Sequence, residues 1–281
     1  MEQLRLTAGD EAEMAAAGMS EKEKSLRKEG KRKGGLTKEQ RAELHAYEQE
    51  RLKIREERIT ALEKKLIERI SVWTESERSP ETTSAFQMKC KYEAENLKME
   101  SFGVELLHAI GGVYVQKAEL ALKSQKFMGS FFGKMKEKGG IVKDTWNTLS
   151  VAVDAQMTAE RVARMEEKGG DEWNEEIKRE MEEEMTGKVL AASWAGTKYE
   201  IGGVLREVCD RVLAKTLPKE KRIQRAQAMI IMGNVFLGVQ PEEGDEGRVF
   251  ETLVANAHKK KHKKKETKPK PATTVPAEKT V

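Results

Sequence analysis

Four histidines and two cysteines are the residues of this 281-residue chain best suited to nucleophilic, acid–base or metal chemistry. His108 stands in the stretch LKMESFGVELLHAIGGVY (97–114), just ahead of Gly111-Gly112, where a general base beside a glycine-rich loop is conceivable. A general base needs an oriented partner within hydrogen-bond reach. Cys90 shares a helical face with His108 but precedes it by 18 residues, about 27 Å along a straight helix. Cys209 could meet it only through the tertiary fold. His108 therefore reads as a core histidine, grouped with Phe86, Cys90, Ala94, Leu97 and Val104, and Gly111-Gly112 reads as a helix stop.

Other chemistries find less support. His258 and His262 are four apart, but the lysines around them disfavour a divalent cation. No Walker-type loop and no strand–glycine–helix unit is present, so no phosphate cradle is expected. The run 166–185 holds ten acidic and three basic residues, yet acid–base catalysis needs two carboxylates in a shaped cleft rather than a solvated run. The expectation is a protein that is not an enzyme, with no cofactor, no catalytic residue and no metal ligand.

Two surface features carry a functional reading instead. The segment KFMGSFFGKMKEK (126–138) interleaves Phe127, Met128, Phe131 and Phe132 with Lys126, Lys134, Lys136 and Lys138. Such a segment suits an apolar peptide or an anionic membrane surface. The C-terminal run with Lys259, Lys260, Lys261, Lys263, Lys264 and Lys265 suits an anionic surface. From His258 onward nine lysines stand against two glutamates, a formal +7 within a chain of +4, which leaves about −3 on the remainder. A near-neutral body with a basic tail is not a nucleic-acid-binding domain, so nucleic acid is not an expected partner.

The elements that must position these residues are helices. Charged residues make up 36% of the chain and aromatic residues 5%, too few for a β-sandwich or a doubly wound sheet. Pro80 is the single proline before residue 218, so long helices are permitted. Residues 1–36 lack a sustained apolar period and read as a disordered lead-in. A long helix is expected from Thr37 to about Glu75, with Leu52, Ile59, Leu62, Leu66, Ile70 and Trp73 on one face. Ser79 and Pro80 open a second helix, expected to run to about Ile110 and, being apolar on two sides, to lie inside a bundle. Further helices are expected at 113–125, at 141–167 with Trp146, Leu149, Val153 and Met157 inward, and at 186–216 and 219–237. In the 186–216 helix, Gly202-Gly203 suggests a close helix approach. A short helix at 245–257 precedes a disordered lysine-rich tail.

The fold class is therefore all-α, an antiparallel helical bundle with a long leading helix and disordered terminal segments. The domains are a lead-in (1–36), the bundle (37–240), and a linker and tail (241–281). Two cysteines and no secretory apolar region suit a reducing, cytoplasmic setting, at a membrane periphery or in the nucleus as alternatives. The longest apolar run, 228–239, is too short to span a bilayer.

The stretch YEAENLKMESFGVELLHAIGGVYVQKAE, followed by GSFFGKMKEKG, resembles the X-domain of DnaJ-like J-domain co-chaperones. The elements Glu-Ser-Phe-Gly, Leu-Leu-His-x-Ile-Gly and Lys-x-Lys-x-Lys-Gly occur in the family's order, and the similarity runs over about 38–240. The resemblance implies a chaperone-associated interaction module that binds unfolded or precursor polypeptide, with a DnaK-type chaperone engaged indirectly through a J-domain. The J-domain's ATPase stimulation depends on His-Pro-Asp, and none of the four histidines here is followed by proline. The expectation is a module without its own J-domain activity. A helical scaffold acting through partner helices is the runner-up.

Overall fold

The computed structural model describes residues 19–123, 129–169, 174–241, 248 and 250–256; side chains at 31, 33, 129–146 and 149 lie outside the description. Every regular element among the described residues is helical. Helix α1 spans Glu21–Lys33, α2 Lys38–Thr74, α3 Pro80–Lys98, α4 Gly103–Lys123, α5 Gly129–Lys168, α6 Glu175–Val212 and α7 Lys219–Leu237. Residues 250–256 add a short helical segment.

Helix α1 lies where the sequence suggests a disordered lead-in. Charge, not an apolar stripe, holds it. Ser20 accepts the Glu23 N–H as N-cap. Glu23, 1% exposed, takes the Arg51 guanidinium at 2.9 Å on the next helix, and Arg27 reaches Glu48 at 2.6 Å. A period search for apolar residues has nothing to detect in such a helix.

Helix α2 starts on a capping box between Thr37 and Gln40, which satisfies two otherwise orphaned N–H groups. Its 37 residues are about 55 Å long. Ile59, Leu66, Ile70 and Trp73 are buried as the stripe requires, but Leu52 is 56% exposed, because the core begins only further along. The charged face is not simply solvated. Arg55 pairs with Glu207 at 2.5 Å and Arg58 with Glu200 at 3.0 Å, while Arg211 grips Glu56 through two bonds of 2.7 Å.

The helix expected over 80–110 is two helices. Ser79 caps α3 and Pro80 fills its first position. The chain breaks after Lys98, with Phe102 at φ 56°, and restarts at Gly103. A Cβ on Gly103 would lie 2.0 Å from the Leu97 carbonyl oxygen, so this turn requires glycine. The break overturns the expectation of a helix buried on two sides: Phe86, Cys90 and Ala94 are buried, whereas Met88, Tyr92 and Met99 are 68%, 71% and 72% exposed.

Helix α4 continues through Gly111-Gly112, so that pair is not a helix stop. Its most extensive contact is with α7. Among the described residues the apolar core draws on α2, α3, α4, α6 and α7. Arg225 of α7, itself buried, donates to the Val212 carbonyl at 3.0 Å and so closes the C-terminal end of α6.

Helix α5 packs chiefly on α6. Its backbone is helical from Gly129, twelve residues before the helix start expected at 141. Met157, expected to face inward, is 65% exposed, and Ala155 and Thr158 are buried instead. Trp146 and Leu149 fall among the side chains outside the description. Between α5 and α6, Lys188 reaches Thr158 Oγ1 at 2.8 Å, Glu184 at 3.0 Å and Asp154 at 3.4 Å, and Arg161 faces Glu184 at 2.9 Å.

Candidate functional site

His108 is half-buried on α4, and its Nε2 lies 2.8 Å from the Val239 carbonyl oxygen. With the proton on Nε2 the ring donates to that oxygen and ties α4 to the chain just beyond α7. Its contact is therefore to a main-chain acceptor, not to a nucleophile. Three residues on, a Cβ on Gly111 would lie 2.6 Å from the Gly233 carbonyl oxygen, and a Cβ on Gly233 would lie 2.9 Å from that of Gly111. The two helix backbones meet there, which only paired glycines allow. Gly112 faces open space, as does Gly203. Close approach belongs to the first glycine pair rather than to Gly202-Gly203, where the sequence suggests it.

Both thiols are buried and free. Burial pushes the Cys90 thiol up to about 11 and the Cys209 thiol up to about 12, so at neutral pH each is the unreactive protonated form. A thiol-modifying reagent at pH 8 is expected to label neither cysteine in the folded protein and both after denaturation. Fast native labelling at either would show the core to be open there. Among the described residues no group of three or more His, Cys, Asp or Glu is placed to hold a metal ion.

What the helices do build is an open, mainly apolar cleft of about 300 Å³ between α4, α5 and α6. Val113, Val151, Ala191, Trp194 and Tyr199 line it, and Val254 of the short C-terminal segment completes the lining. At its edge the Phe102 ring stacks on Trp194, with centroids 4.8 Å apart. The Phe102 N–H, which precedes α4, donates to Glu251 at 2.6 Å, and Arg248 pairs with Glu105 at 3.0 Å. The sequence suggests a short helix here but not its docking. The available signal is the spacing of Arg248, Glu251 and Val254, three residues apart and so on one helical face.

The side chains of the contact residues named from the sequence fall outside the description. Phe131, Phe132, Lys134, Lys136 and Lys138 lie on the helical backbone near the start of α5, with side chains outside the description. Phe127 and the lysines 259, 260, 261, 263, 264 and 265 lie outside the described residues. No helix among the described residues is long and apolar enough to cross a membrane.

The helical elements, two of them meeting at a glycine-to-glycine crossing with an apolar cleft at the flank, place the described residues in the all-α class. The chain belongs to the family described as the X-domain of DnaJ-containing proteins, which it matches over residues 55–254. It is 42% identical over 235 residues to an uncharacterized J domain-containing protein of Schizosaccharomyces pombe, a match spanning 83% of this chain and 60% of the relative. DnaJ-like protein 1 of Saccharomyces cerevisiae is 40% identical, over 83% of this chain and 58% of its own length. Protein CAJ1 of the same yeast is 34% identical, over 92% and 66%. The chain thus spans about 60% of the length of the first two relatives. No solved structure matches it.

Proposed function

We propose that this chain is a chaperone-associated, non-catalytic interaction module that holds an unfolded or precursor polypeptide, with an anionic membrane surface as a second kind of contact. The observation that supports the reading is the helical start of α5. At helical spacing, positions 131, 132 and 135 fall within an arc of about 100°. Lysine positions 134 and 138 flank one edge of that arc and 136 the other. A phenylalanine–methionine sector between lysines suits apolar segments of an unfolded chain and the headgroup region of an anionic bilayer alike. The lysine tail adds attraction to anionic surfaces. Relatives named as J domain-containing or DnaJ-like give the reading its chaperone context. A J-domain acting beside this module would link the held client to a DnaK-type ATPase, with His-Pro-Asp supplied from outside these 281 residues.

The test is fluorescence anisotropy of a labelled, reduced and carboxymethylated polypeptide that stays unfolded in buffer, with co-sedimentation on anionic vesicles as the second arm. The double variant Phe131→Ser/Phe132→Ser is expected to weaken polypeptide binding about tenfold. Deletion of 258–281 is expected to weaken vesicle binding and leave polypeptide binding unchanged. Wild-type affinity in the double variant for both probes would remove the α5 contact from the reading.

The scaffold reading draws on α2, which exposes Leu52 and Ile54 by 56% and 50%. Against it, α2 already commits Arg55, Glu56 and Arg58 to α6 of the same chain.

A further inference from the structure

We infer that the cleft between α4, α5 and α6 is a docking groove for a short amphipathic helix of a partner polypeptide. That helix carries a basic, an acidic and an aliphatic residue at spacings of three, and the chain's own segment described at 248 and 250–256 is the resident occupant it displaces.

The mode of docking is visible in the resident segment. Phe102 stands just ahead of α4, where backbone N–H groups have no partner inside the helix. Glu251 supplies the acceptor at 2.6 Å, and a carboxylate at a helix N-terminus is favoured by the helix dipole as well. One turn before it Arg248 reaches Glu105 of α4, and one turn after it Val254 forms part of the cleft wall. One face of two helical turns therefore makes every anchoring contact described. The groove reads spacing and chemical type, as helix-in-groove sites do.

Three features make the resident segment replaceable. It is far too short to be helical by itself, so its order comes from these anchors. The joint is incompletely satisfied: Arg248 lies 3.0 Å from Glu105 and 3.8 Å from Glu251, yet one buried oxygen of each carboxylate has no hydrogen-bond partner. With Val254 on its wall the cleft still holds about 300 Å³ of open space, and Phe250 is 45% exposed. A partner helix with a larger aliphatic residue at the third position fills the groove better than the resident one. The described lining that α5 supplies is Asn147, Thr148 and Val151, not the positions named for client binding, so the inference is tested apart from that proposal.

The probe is a labelled synthetic peptide of residues 246–258, EGRVFETLVANAH, added to the full-length chain. An occupied groove lowers apparent affinity in proportion to the fraction open. The variant Glu251→Lys/Val254→Asp, which loses both the acceptor and the aliphatic anchor, is expected to bind the peptide about tenfold more tightly than wild type. A peptide with Val254→Asp is expected not to bind, and Phe131→Ser/Phe132→Ser is expected to leave peptide binding unchanged. A second measurement needs no variant. Excess peptide added to wild type is expected to speed hydrogen exchange of the chain's own 250–256 amides. Equal peptide affinity in wild type and variant, or unaltered exchange at 250–256 under saturating peptide, overturns the inference.

Discussion

Gly111→Ala and Gly112→Ala, neighbouring and chemically identical substitutions, are expected to change stability in opposite directions. On α4, alanine in place of glycine gains about 1 kcal/mol of helix propensity at either position. At Gly112 nothing lies within 4 Å of the new Cβ, so the gain is kept. At Gly111 the Cβ arrives 2.6 Å from the Gly233 carbonyl oxygen and 3.1 Å from Phe236 Cβ and Leu237 Cγ. The first of these is backbone of α7, which cannot swing aside as a side-chain tip can. Overpacking of this kind costs about 1–3 kcal/mol, and because the helices themselves must separate we place Gly111→Ala near the upper end, a net loss of about 2 kcal/mol. Urea denaturation followed by circular dichroism should then separate the two variants by about 3 kcal/mol. Equal stabilities would mean that α4 and α7 do not meet backbone to backbone.

The second large effect is expected at Lys188. Its ammonium is the centre of a buried group on the α5–α6 pair, touching Thr158, Glu184 and Asp154. Lys188→Met takes one cationic partner from Glu184, which is 6% exposed, and keeps Arg161 at 2.9 Å. Removing one member of a buried pair costs about 3–5 kcal/mol because the remaining charge is stranded; the surviving Arg161 places this case near the lower end. The pH dependence has a definite sign. Burial alone would raise the Glu184 carboxyl, but Lys188 and Arg161 outweigh it and hold the group below the ordinary carboxylate range. Its contribution is present above the unfolded value near 4.5 and is lost as the pH falls through the lowered folded value. The Lys188→Met deficit should therefore be largest near neutrality and shrink in acid, where Glu184 takes up a proton. Hydrogen exchange should rise first along 150–165 and 180–192. A deficit independent of pH would contradict the network.

The same structure shows what sequence patterns can and cannot carry. Apolar residues three and four apart mark α2 and the second half of α6, and Pro80 and Pro218 stand at the starts of α3 and α7, because those signals are local. The break at Met99–Phe102 is local too, but its cause is geometric. The Leu97 carbonyl oxygen occupies the space of a Gly103 Cβ, and an apolar period runs straight across such a turn. Which glycine meets another helix depends on where α4 crosses α7, so Gly111 and Gly202 look alike until the crossing is known. Helix α1 escapes notice because its order rests on Glu23 and Arg51, 28 residues apart. On the functional side, the Glu-Ser-Phe-Gly and Leu-Leu-His-x-Ile-Gly elements that carry the family resemblance contain Gly103 of that turn and Gly111 of that crossing. The cleft was not legible, since its lining comes from three helices and from a segment whose docking only the fold reveals.

The central claim is that the start of α5 is where this X-domain holds unfolded polypeptide. Hydrogen–deuterium exchange of the full chain, with and without a saturating reduced and carboxymethylated polypeptide, tests it most directly. The account predicts slowed exchange concentrated at 127–138, with the α4–α7 crossing unchanged. Slowed exchange confined to other helices, or none at all while the polypeptide is demonstrably bound, would contradict it.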